Sequence, residues 1–257
     1  MSLTRLALRL AAPIPKLEEY ESFLFIGPHP DDIEIGAGAT AAKLAAEGKK
    51  VSFLVCIDGR FGLQNAPHGT TPDSLAAIRQ EEARASAAAL GVTDVRFLGF
   101  HDGGLYDKTE LMRAIMRVIG EVNPQVVFAP DPCVDSECHI DHLNVGETVR
   151  RAAYLMPYSE IAHEYGADSA GVSALAYYMT ARPNHYVKTS GYVTRQLDAI
   201  FENHLTQFPS GCSDAKSISL YIKLRAADFG LRSLYGQAEG FLVLGVTHMH
   251  CLPEAGL

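Results

Sequence analysis

Short apolar runs rich in β-branched and aromatic residues recur along the chain and predict the strands of a sheet. These runs lie at 23–26, 51–57, 95–98, 125–129, 175–179, 185–187 and 241–246. Amphipathic or alanine-rich stretches separate them, often ending at a glycine or before a proline, and predict helices. The predicted helices lie at 36–47, 74–90, 109–122, 192–205 and 215–235.

Strands that alternate with helices form a parallel sheet with helices on its faces. We therefore predict an α/β fold with a Rossmann-like, mostly parallel sheet, in which strands one and four are neighbours. Residues 22–257 are expected to form a single domain, preceded by an N-terminal extension over residues 1–21. Residues 154–174 are the least regular stretch, and we interpret them as an insertion or a lid.

Composition excludes several classes of protein. The chain has 257 residues and a formal net charge of -8, with no run of lysine or arginine, which disfavours a nucleic-acid surface. No apolar stretch reaches the roughly 20 residues of a membrane span. Its five cysteines are scattered and odd in number, which favours a reducing compartment. We therefore expect a cytoplasmic protein that binds a small molecule, and a homo-oligomer is compatible with the sequence.

Two polar clusters follow the first and fourth predicted strands. The segment GPHPDDIEIGAGAT, at 27–40, brings His29, Asp31 and Asp32 directly after strand one. The segment PDPCVDSECHIDHLNVGE, at 130–147, carries His139 and His142 after strand four. In open parallel sheets, ligands bind beyond the carboxyl ends of the strands, where the strand order reverses. We therefore expect both clusters to share one crevice at the ends of strands one and four.

The residue types in these clusters indicate a hydrolytic metal site. His29, Asp32 and His142 offer two imidazoles and one carboxylate, a set that binds Zn²⁺ with a fourth position open for water. The same donors suit Fe²⁺, so these residues alone do not identify the metal. Asp31 is then free to act as a base, and His139 could pair with a nearby carboxylate, Asp141. An aspartate after a strand also often caps a helix, which is the structural alternative for each cluster alone.

Together these motifs resemble the LmbE/PIG-L-like zinc-dependent N-acetyl-sugar deacetylases, which have a Rossmann-like fold. The resemblance covers most of residues 22–150 and rests on the (A/P)HPDD(x)E and HxDH motifs. Further landmarks of that family are matched by Arg79-Gln80-Glu81-Glu82, Leu90-Gly91, His204, Thr206-Gln207 and Ala238-Glu239-Gly240-Phe241. Proline at position 28 and isoleucine at position 140 are mild departures, and neither supplies a functional side chain.

Position by position, the resemblance implies roles for the two clusters. It implies three zinc ligands, namely His29, Asp32 and His142. It implies Asp31 as general base, and His139 as the group that assists the tetrahedral intermediate, with Asp141 behind it. The implied reaction is removal of the acetyl group from an N-acetylated sugar derivative of the N-acetylglucosamine type.

Two residues in neighbouring loops are candidates for substrate binding. Arg60 follows strand two, where its guanidinium could bind a substrate hydroxyl or phosphate, or simply neutralise nearby carboxylates. Asp102 follows strand three and is a candidate acceptor for a sugar hydroxyl. Both loops are expected at the same edge of the sheet as the two polar clusters.

Two other functions remain open from the sequence. Residues 36–41 fit the G-x-G-x-x-A pattern, and Asp58 lies about 20 residues further on, which would suit an NAD-dependent oxidoreductase. Nine residues separate the first strand from that pattern, which disfavours a pyrophosphate site. A metal- or sugar-binding module without turnover is the second alternative. The tail His248, His250 and Cys251 has no counterpart that we can identify, and its role stays open.

Overall fold

The computed structural model describes residues 10–250 and the isolated positions 7 and 252. Its described strands form one seven-stranded sheet: β1 (Ser22–Gly27), β2 (Lys50–Ile57), β3 (Asp94–Phe100), β4 (Val126–Pro130), β5 (Ala174–Tyr178), β6 (His185–Lys188) and β7 (Ala238–Gly245). The strand order is β3-β2-β1-β4-β5-β7-β6. Strands β1 to β5 pair in parallel, and β7 pairs antiparallel with both of its neighbours. This order makes β1 and β4 neighbours, as predicted.

Seven α-helices connect the described strands: α1 (Asp32–Ala46), α2 (Pro72–Leu90), α3 (Lys108–Val122), α4 (Ile140–Leu155), α5 (Ser159–Glu164), α6 (Val193–Asn203) and α7 (Ser213–Ser233). Alternate residues of each strand point to opposite faces of the sheet. Phe23 and Phe25 accordingly pack with α1, α2 and α6, whereas Leu24 and Ile26 pack with α3 and α4. The mostly parallel sheet with helices on both faces confirms the predicted fold class.

Three helices differ from the prediction: α5 lies in the stretch expected to be irregular, and the other two differences concern the polar clusters. Helix α1 begins at Asp32 rather than Gly36, and a non-helical residue at Ala37 kinks it. Helix α4, which we did not predict, begins at Ile140 with His139 as its N-cap. The buried face of α4 consists of valines and small residues, so its apolar periodicity is weak. The functional motifs therefore lie at helix N-termini rather than in long loops.

Residues 154–174, which we interpreted as an insertion or lid, lie in the connection between β4 and β5. They include the end of α4 and all of α5, and four of their small apolar residues are buried: Ala162, Ala167, Ala170 and Val172. Their role as a lid stays a prediction. In the described residues, no helix has both the length and the apolar composition needed to cross a membrane.

Candidate active site

The two polar clusters meet at the carboxyl ends of β1 and β4. These strands are in register, with Phe23 opposite Val126 and Phe25 opposite Phe128. The chain segments that follow them therefore leave the sheet side by side. The Nε2 atom of His29, after β1, lies 3.3 Å from Oδ2 of Asp141, in the first turn of α4. The structure thus brings together the two clusters that the sequence places about 110 residues apart.

Asp32 lies between two imidazoles. Its Oδ2 atom is 3.2 Å from Nδ1 of His29 and 3.3 Å from Nε2 of His142. The same oxygen accepts the backbone N–H of His29 at 2.8 Å, which fixes the carboxylate in the first turn of α1. Both Asp32 and His29 are buried. One carboxylate oxygen of Asp32 thus contacts a ring nitrogen of each histidine.

The electrostatics of this cluster favour a bound cation. Burial alone would lower the pKa of His29, but hydrogen bonds to Asp141 and Asp32 raise it to about 10. Burial also disfavours charge on His142, yet the charge of Asp32 raises its pKa to about 9. Buried carboxylates therefore hold protons on both imidazoles when no metal is bound. A divalent cation can replace those protons, so the donor set and its charge fit Zn²⁺ or Fe²⁺.

Two groups of side chains in the described residues have ligand atoms that all lie within 4.8 Å of one another, and neither group contains Asp32. The ring nitrogens of His29, His139 and His142 form one set, and a second set joins His29 with Asp102 and Asp141. In the second set, backbone amides already donate to both carboxylates, to Asp102 from Gly59 and Phe61 and to Asp141 from Gly103 and Gly104. The ring of His139 stacks on His142, with centroids 4.7 Å apart. The predicted ligands His29, Asp32 and His142 are connected through the contacts of Asp32 with both rings, and this ligand set stays a prediction.

Asp31 holds a strained position beside this cluster. It is the N-cap residue of α1, with φ 111° and ψ −28°, in the left-handed region that side chains rarely adopt. Strain of this kind persists only where neighbouring groups enforce it, and it is common at functional sites. Burial raises the pKa of Asp31 to about 6, although the adjacent Arg79 guanidinium opposes that shift. Burial thus makes the Asp31 carboxylate more basic than that of an exposed aspartate, which suits a general base.

Arg79 anchors the loop that carries Asp31. This arginine of α2 is buried, and its Nη2 atom donates to the carbonyl of Pro30 at 2.6 Å and to Oδ2 of Asp31 at 3.2 Å. Its Nη1 atom donates to the carbonyl of Gly59 at 3.1 Å, in the loop after β2. Arg79 belongs to one of the family landmarks in the sequence, which by itself indicates no role for it. The structure shows that it ties two loops of the crevice to α2.

Asp141 lies nearer to His29 than to His139. Its Oδ2 atom is 3.3 Å from Nε2 of His29 but 3.9 Å from Nδ1 of His139. The carboxylate is fully buried, and Tyr106 also donates a hydrogen bond to it at 2.9 Å. We expected Asp141 to stand behind His139. Its shortest histidine contact instead supports a metal-ligand candidate.

His139 lies at the open side of the crevice. Its side chain is about half exposed, at 49% of its full area. Burial and the positive charges of His29 and His142 lower its pKa, so the ring favours the neutral form. Nδ1 accepts the backbone N–H of Asp141 at 3.3 Å, which leaves the proton of the neutral ring on Nε2. His139 can therefore donate a hydrogen bond from Nε2.

Asp102 and Arg60 both lie at the same sheet edge, with different partners. Asp102 is 3.7 Å from Nε2 of His29, within the crevice. Arg60 makes ion pairs of 2.8 Å with Asp58 and with Asp73. Of the two roles that the sequence left open for Arg60, the structure shows the neutralisation of carboxylates.

Sequence reasoning missed two further contacts around the cluster. Glu137 accepts from the backbone N–H of His139 and lies 3.1 Å from Nδ1 of His142. Glu34 pairs with the buried His204 at 3.2 Å. Glu34 lies inside the first motif and His204 is one of the family landmarks, so the sequence marked both residues although it did not pair them. Glu137 had none beyond its place two residues before the second motif.

The glycines of the G-x-G-x-x-A pattern serve packing within the fold. A Cβ atom on Gly36 would lie 2.2 Å from the ring of Tyr178, and one on Gly38 would lie 3.0 Å from the Gln196 side chain. The helix therefore passes too close to its neighbours for larger residues. This packing accounts for the pattern without a dinucleotide.

The two histidines near the C-terminus, His248 and His250, contact other parts of the fold. His248 Nε2 is 2.9 Å from the carbonyl of Ala12, and its Nδ1 accepts the N–H of Gly245. The ring of His250 lies beside that of Tyr154, with centroids 5.5 Å apart. Cys251 lies outside the described residues.

Comparison with known proteins gives consistent matches. The family model for PIG-L, described as GlcNAc-PI de-N-acetylase, matches residues 24–153. Diacetylchitobiose deacetylase from Thermococcus kodakarensis is 32% identical over 241 residues, which are 92% of this chain and 88% of that protein. A 1D-myo-inositol 2-acetamido-2-deoxy-alpha-D-glucopyranoside deacetylase from Thermobispora bispora is 31% identical over 223 residues, 75% of this chain and 70% of that protein.

Solved structures with the same fold include enzymes of more than one kind. N,N'-diacetylchitobiose deacetylase from Pyrococcus horikoshii matches with a TM-score of 0.85 and 27% identity, covering 98% of this chain and 97% of that one. The 4-carboxy-2-hydroxymuconate hydratase GalB from Pseudomonas putida matches with a TM-score of 0.70 and 18% identity, covering 86% and 95%. The second likeness shows the fold alone, so function has to be argued from the site.

Proposed function

The chain belongs to the PIG-L family of de-N-acetylases, and from this premise we propose that it hydrolyses the acetamide of an N-acetylated sugar derivative. The observation that carries the proposal is the position of Asp32, between His29 and His142, beside a second carboxylate on Asp31. Two imidazoles and a carboxylate make a hydrolytic metal site, and the adjacent carboxylate supplies a base. The likeness to diacetylchitobiose deacetylase supports an N-acetylglucosamine-type substrate.

The proposed metal is Zn²⁺ or Fe²⁺, held by His29, Asp32 and His142. When bound, such an ion acts as a Lewis acid on a carbonyl oxygen and lowers the pKa of a coordinated water. The raised pKa values of both histidines, which come from neighbouring carboxylates, support a site for positive charge in the crevice. Asp141 and Glu137 contact the histidine nitrogens that do not face Asp32.

Three side chains of the crevice have proposed roles in the reaction. Asp31 accepts the proton of the attacking water, since its buried carboxylate has a pKa raised to about 6. His139 donates a hydrogen bond from Nε2 to the oxygen that becomes negatively charged. Asp141 acts indirectly, because it orients His29 through Nε2.

Substrate contacts are proposed for Asp102 and Arg60. Asp102 lies inside the crevice, and each of its oxygens accepts one backbone N–H, from Gly59 and from Phe61. A carboxylate oxygen can accept a second hydrogen bond, so Asp102 can still bind a sugar hydroxyl. Arg60 already pairs with the carboxylates of Asp58 and Asp73, so we propose that it contacts the substrate more weakly than Asp102 does.

Two wider proposals concern the whole chain. We propose a reducing, cytoplasmic location, because the described cysteines Cys56, Cys133, Cys138 and Cys212 are all free thiols. We also propose that residues 22–257 form one domain, which the continuous sheet from β1 to β7 supports.

Acetate release tests the proposed reaction. Metal-loaded protein is expected to release acetate from N,N'-diacetylchitobiose and from N-acetylglucosamine conjugates, measured with an enzymatic acetate assay. NAD should not change the melting temperature, whereas EDTA should lower it, because a metal stabilises the folded state that binds it. Metal-loaded protein that binds these sugars without releasing acetate would instead indicate a binding module.

The metal content of purified protein tests the ligand set. We expect about one Zn²⁺ or Fe²⁺ per chain, and His142→Ala should lose most of it because one of three protein ligands is removed. His248→Ala is the control, since His248 contacts only backbone groups of Gly245 and Ala12 in the hydrogen bonds described above. Elemental analysis gives the occupancy. Full occupancy in the His142 variant, with loss in the His248 variant, would place the metal elsewhere.

A further inference from the structure

A carboxylate outside both motifs contacts one of the proposed metal ligands. Glu137 lies between β4 and α4, and its Oε2 atom is 3.1 Å from Nδ1 of His142. Its other oxygen, Oε1, accepts the backbone N–H of His139 at 2.7 Å. The side chain is 27% exposed, so it lies at the border of the crevice. One carboxylate thus binds the ring of His142 and the N-cap residue of α4.

The contact decides which nitrogen of His142 is free. A carboxylate accepts hydrogen bonds and does not donate them, so without a metal Glu137 favours a proton on Nδ1 of His142 and Asp32 favours one on Nε2. If Asp32 and Nε2 shared a metal, only the proton that Glu137 holds on Nδ1 would remain. In the neutral ring, Nε2 then keeps its lone pair, and Nε2 is the atom that lies 3.3 Å from Asp32. Glu137 therefore selects the tautomer in which His142 can bind a metal next to Asp32.

The same logic holds for the other imidazole of the ligand set. His29 faces Asp32 with Nδ1, at 3.2 Å, and faces Asp141 with Nε2, at 3.3 Å. Each histidine thus has Asp32 on one nitrogen and a separate carboxylate on the other. Asp141 is fully buried and contacts Nε2 of His29, whereas Glu137 is partly exposed and contacts Nδ1 of His142.

We propose that Glu137 is a positioning residue for the metal, which fixes the tautomer and the ring orientation of His142. A carboxylate on the distal nitrogen of a histidine ligand also makes the ligating nitrogen more basic. Through Oε1, Glu137 couples this ring to the start of α4, where His139 lies. The inference rests on the ligand set of the proposed function, but it does not depend on the identity of the sugar.

Metal affinity distinguishes this role from a merely structural one. Apo-protein is titrated with Zn²⁺ in competition with a chromogenic chelator, at one fixed pH. Loss of such a carboxylate typically weakens metal affinity 10–100-fold. Glu137→Gln keeps one acceptor oxygen, so its affinity for Zn²⁺ should fall about tenfold. Glu137→Ala removes both acceptor oxygens, so its affinity for Zn²⁺ should fall about a hundredfold.

Glu147→Gln is the matched control. Glu147 lies on α4, five residues after His142, and its carboxylate contacts Arg150 and Arg151. Its substitution removes the same charge without touching His142, so the affinity for Zn²⁺ should stay within about twofold of wild type. Circular dichroism and thermal melting of each apo-protein show whether the variants fold.

A spectroscopic measurement adds a second readout. In Co²⁺-loaded protein, the visible absorption bands report the ligand field, so Glu137→Gln should shift them while Glu147→Gln should not. Zn²⁺ affinity and Co²⁺ bands that are unchanged in a folded Glu137→Ala variant would overturn the proposal. Equal weakening by Glu137→Gln and Glu147→Gln would also overturn it, because the effect would then come from overall charge. Neither measurement needs a substrate, so the outcome is independent of whether the protein deacetylates sugars.

Discussion

Asp31→Asn is expected to lower turnover by about 10²–10⁴-fold, the usual contribution of one proton-transfer group, while the metal stays bound. Asparagine has the shape of aspartate but cannot accept the proton from water. It also tolerates the left-handed backbone region better than most residues, so the φ of 111° at this position can persist. Acetate release and metal content, measured on the same preparation, give both quantities.

Asp32→Asn is the matched variant, and its defect should differ in kind. Asp32 contacts both His29 and His142, so its loss removes an anionic ligand and weakens metal binding. Activity should then recover in part when excess metal is added, whereas that of Asp31→Asn should not. If both residues only capped α1, asparagine would replace either one without loss. Equal losses that excess metal does not change would refute the division of roles between the two aspartates.

The fold was predictable because its signals are local and repeated. Each strand of the sheet contains a short apolar run, such as 23–26 within β1, and most of the helices between them end at glycine, asparagine or proline signals. The adjacency of β1 and β4 followed from the strand order common in such sheets, and the register of Phe25 with Phe128 confirms it. Helix α4 was missed because its buried face is made largely of small residues, which give little contrast with polar positions.

The crevice was predictable only where its residues follow strands. His29, Asp32 and His142 come directly after β1 or soon after β4, so topology alone brings them together. Arg79 and Glu137 are different. A charged residue within a helix or a polar loop has the same local pattern whether it faces solvent or a buried partner. Their contacts depend on the packing of α2 and α4 against other loops, which no short stretch of sequence encodes.

Glu82, on the same helix as Arg79, is another residue whose contacts could not be predicted from the sequence. Charged residues on helices are usually solvated or form salt bridges, and nothing in the sequence indicates that Glu82 differs. It instead accepts hydrogen bonds from the backbone N–H and the hydroxyl of Thr206, at 2.8 and 2.6 Å. Thr206 belongs to the C-terminal landmarks, so α2 connects the loop of Asp31 with a segment that follows α6. Helix α2 is therefore part of the frame of the crevice.

Arg79→Met should have the largest effect on stability. The substitution removes the hydrogen bonds to the carbonyls of Pro30 and Gly59 and leaves Asp31 buried without its cation. Breaking a buried ion pair by removing one partner typically costs about 3–5 kcal/mol of unfolding free energy. For a chain of this size, that corresponds to a fall of roughly 6–20 °C in melting temperature. Turnover should fall as well, since Arg79 holds the loop that places the base.

Arg84→Met and Arg79→Lys are the controls for this prediction. Arg84 lies on the same helix but is about half exposed: it pairs with Glu81 at 3.7 Å, donates to the carbonyl of Val95 and lies over the ring of Phe97. Because these contacts are exposed to solvent, its loss should cost clearly less than that of Arg79. Lysine at position 79 keeps the charge but lacks the planar fork that reaches two carbonyls and a carboxylate. Compared with Arg79→Met, Arg79→Lys should therefore regain part of the lost melting temperature and a smaller part of the lost turnover. Similar melting temperatures for Arg79→Met and Arg84→Met would show that the guanidinium of Arg79 does not hold the loops together. If the lysine variant recovered full turnover, the charge beside Asp31 would suffice to position the base, and the fork would serve stability alone.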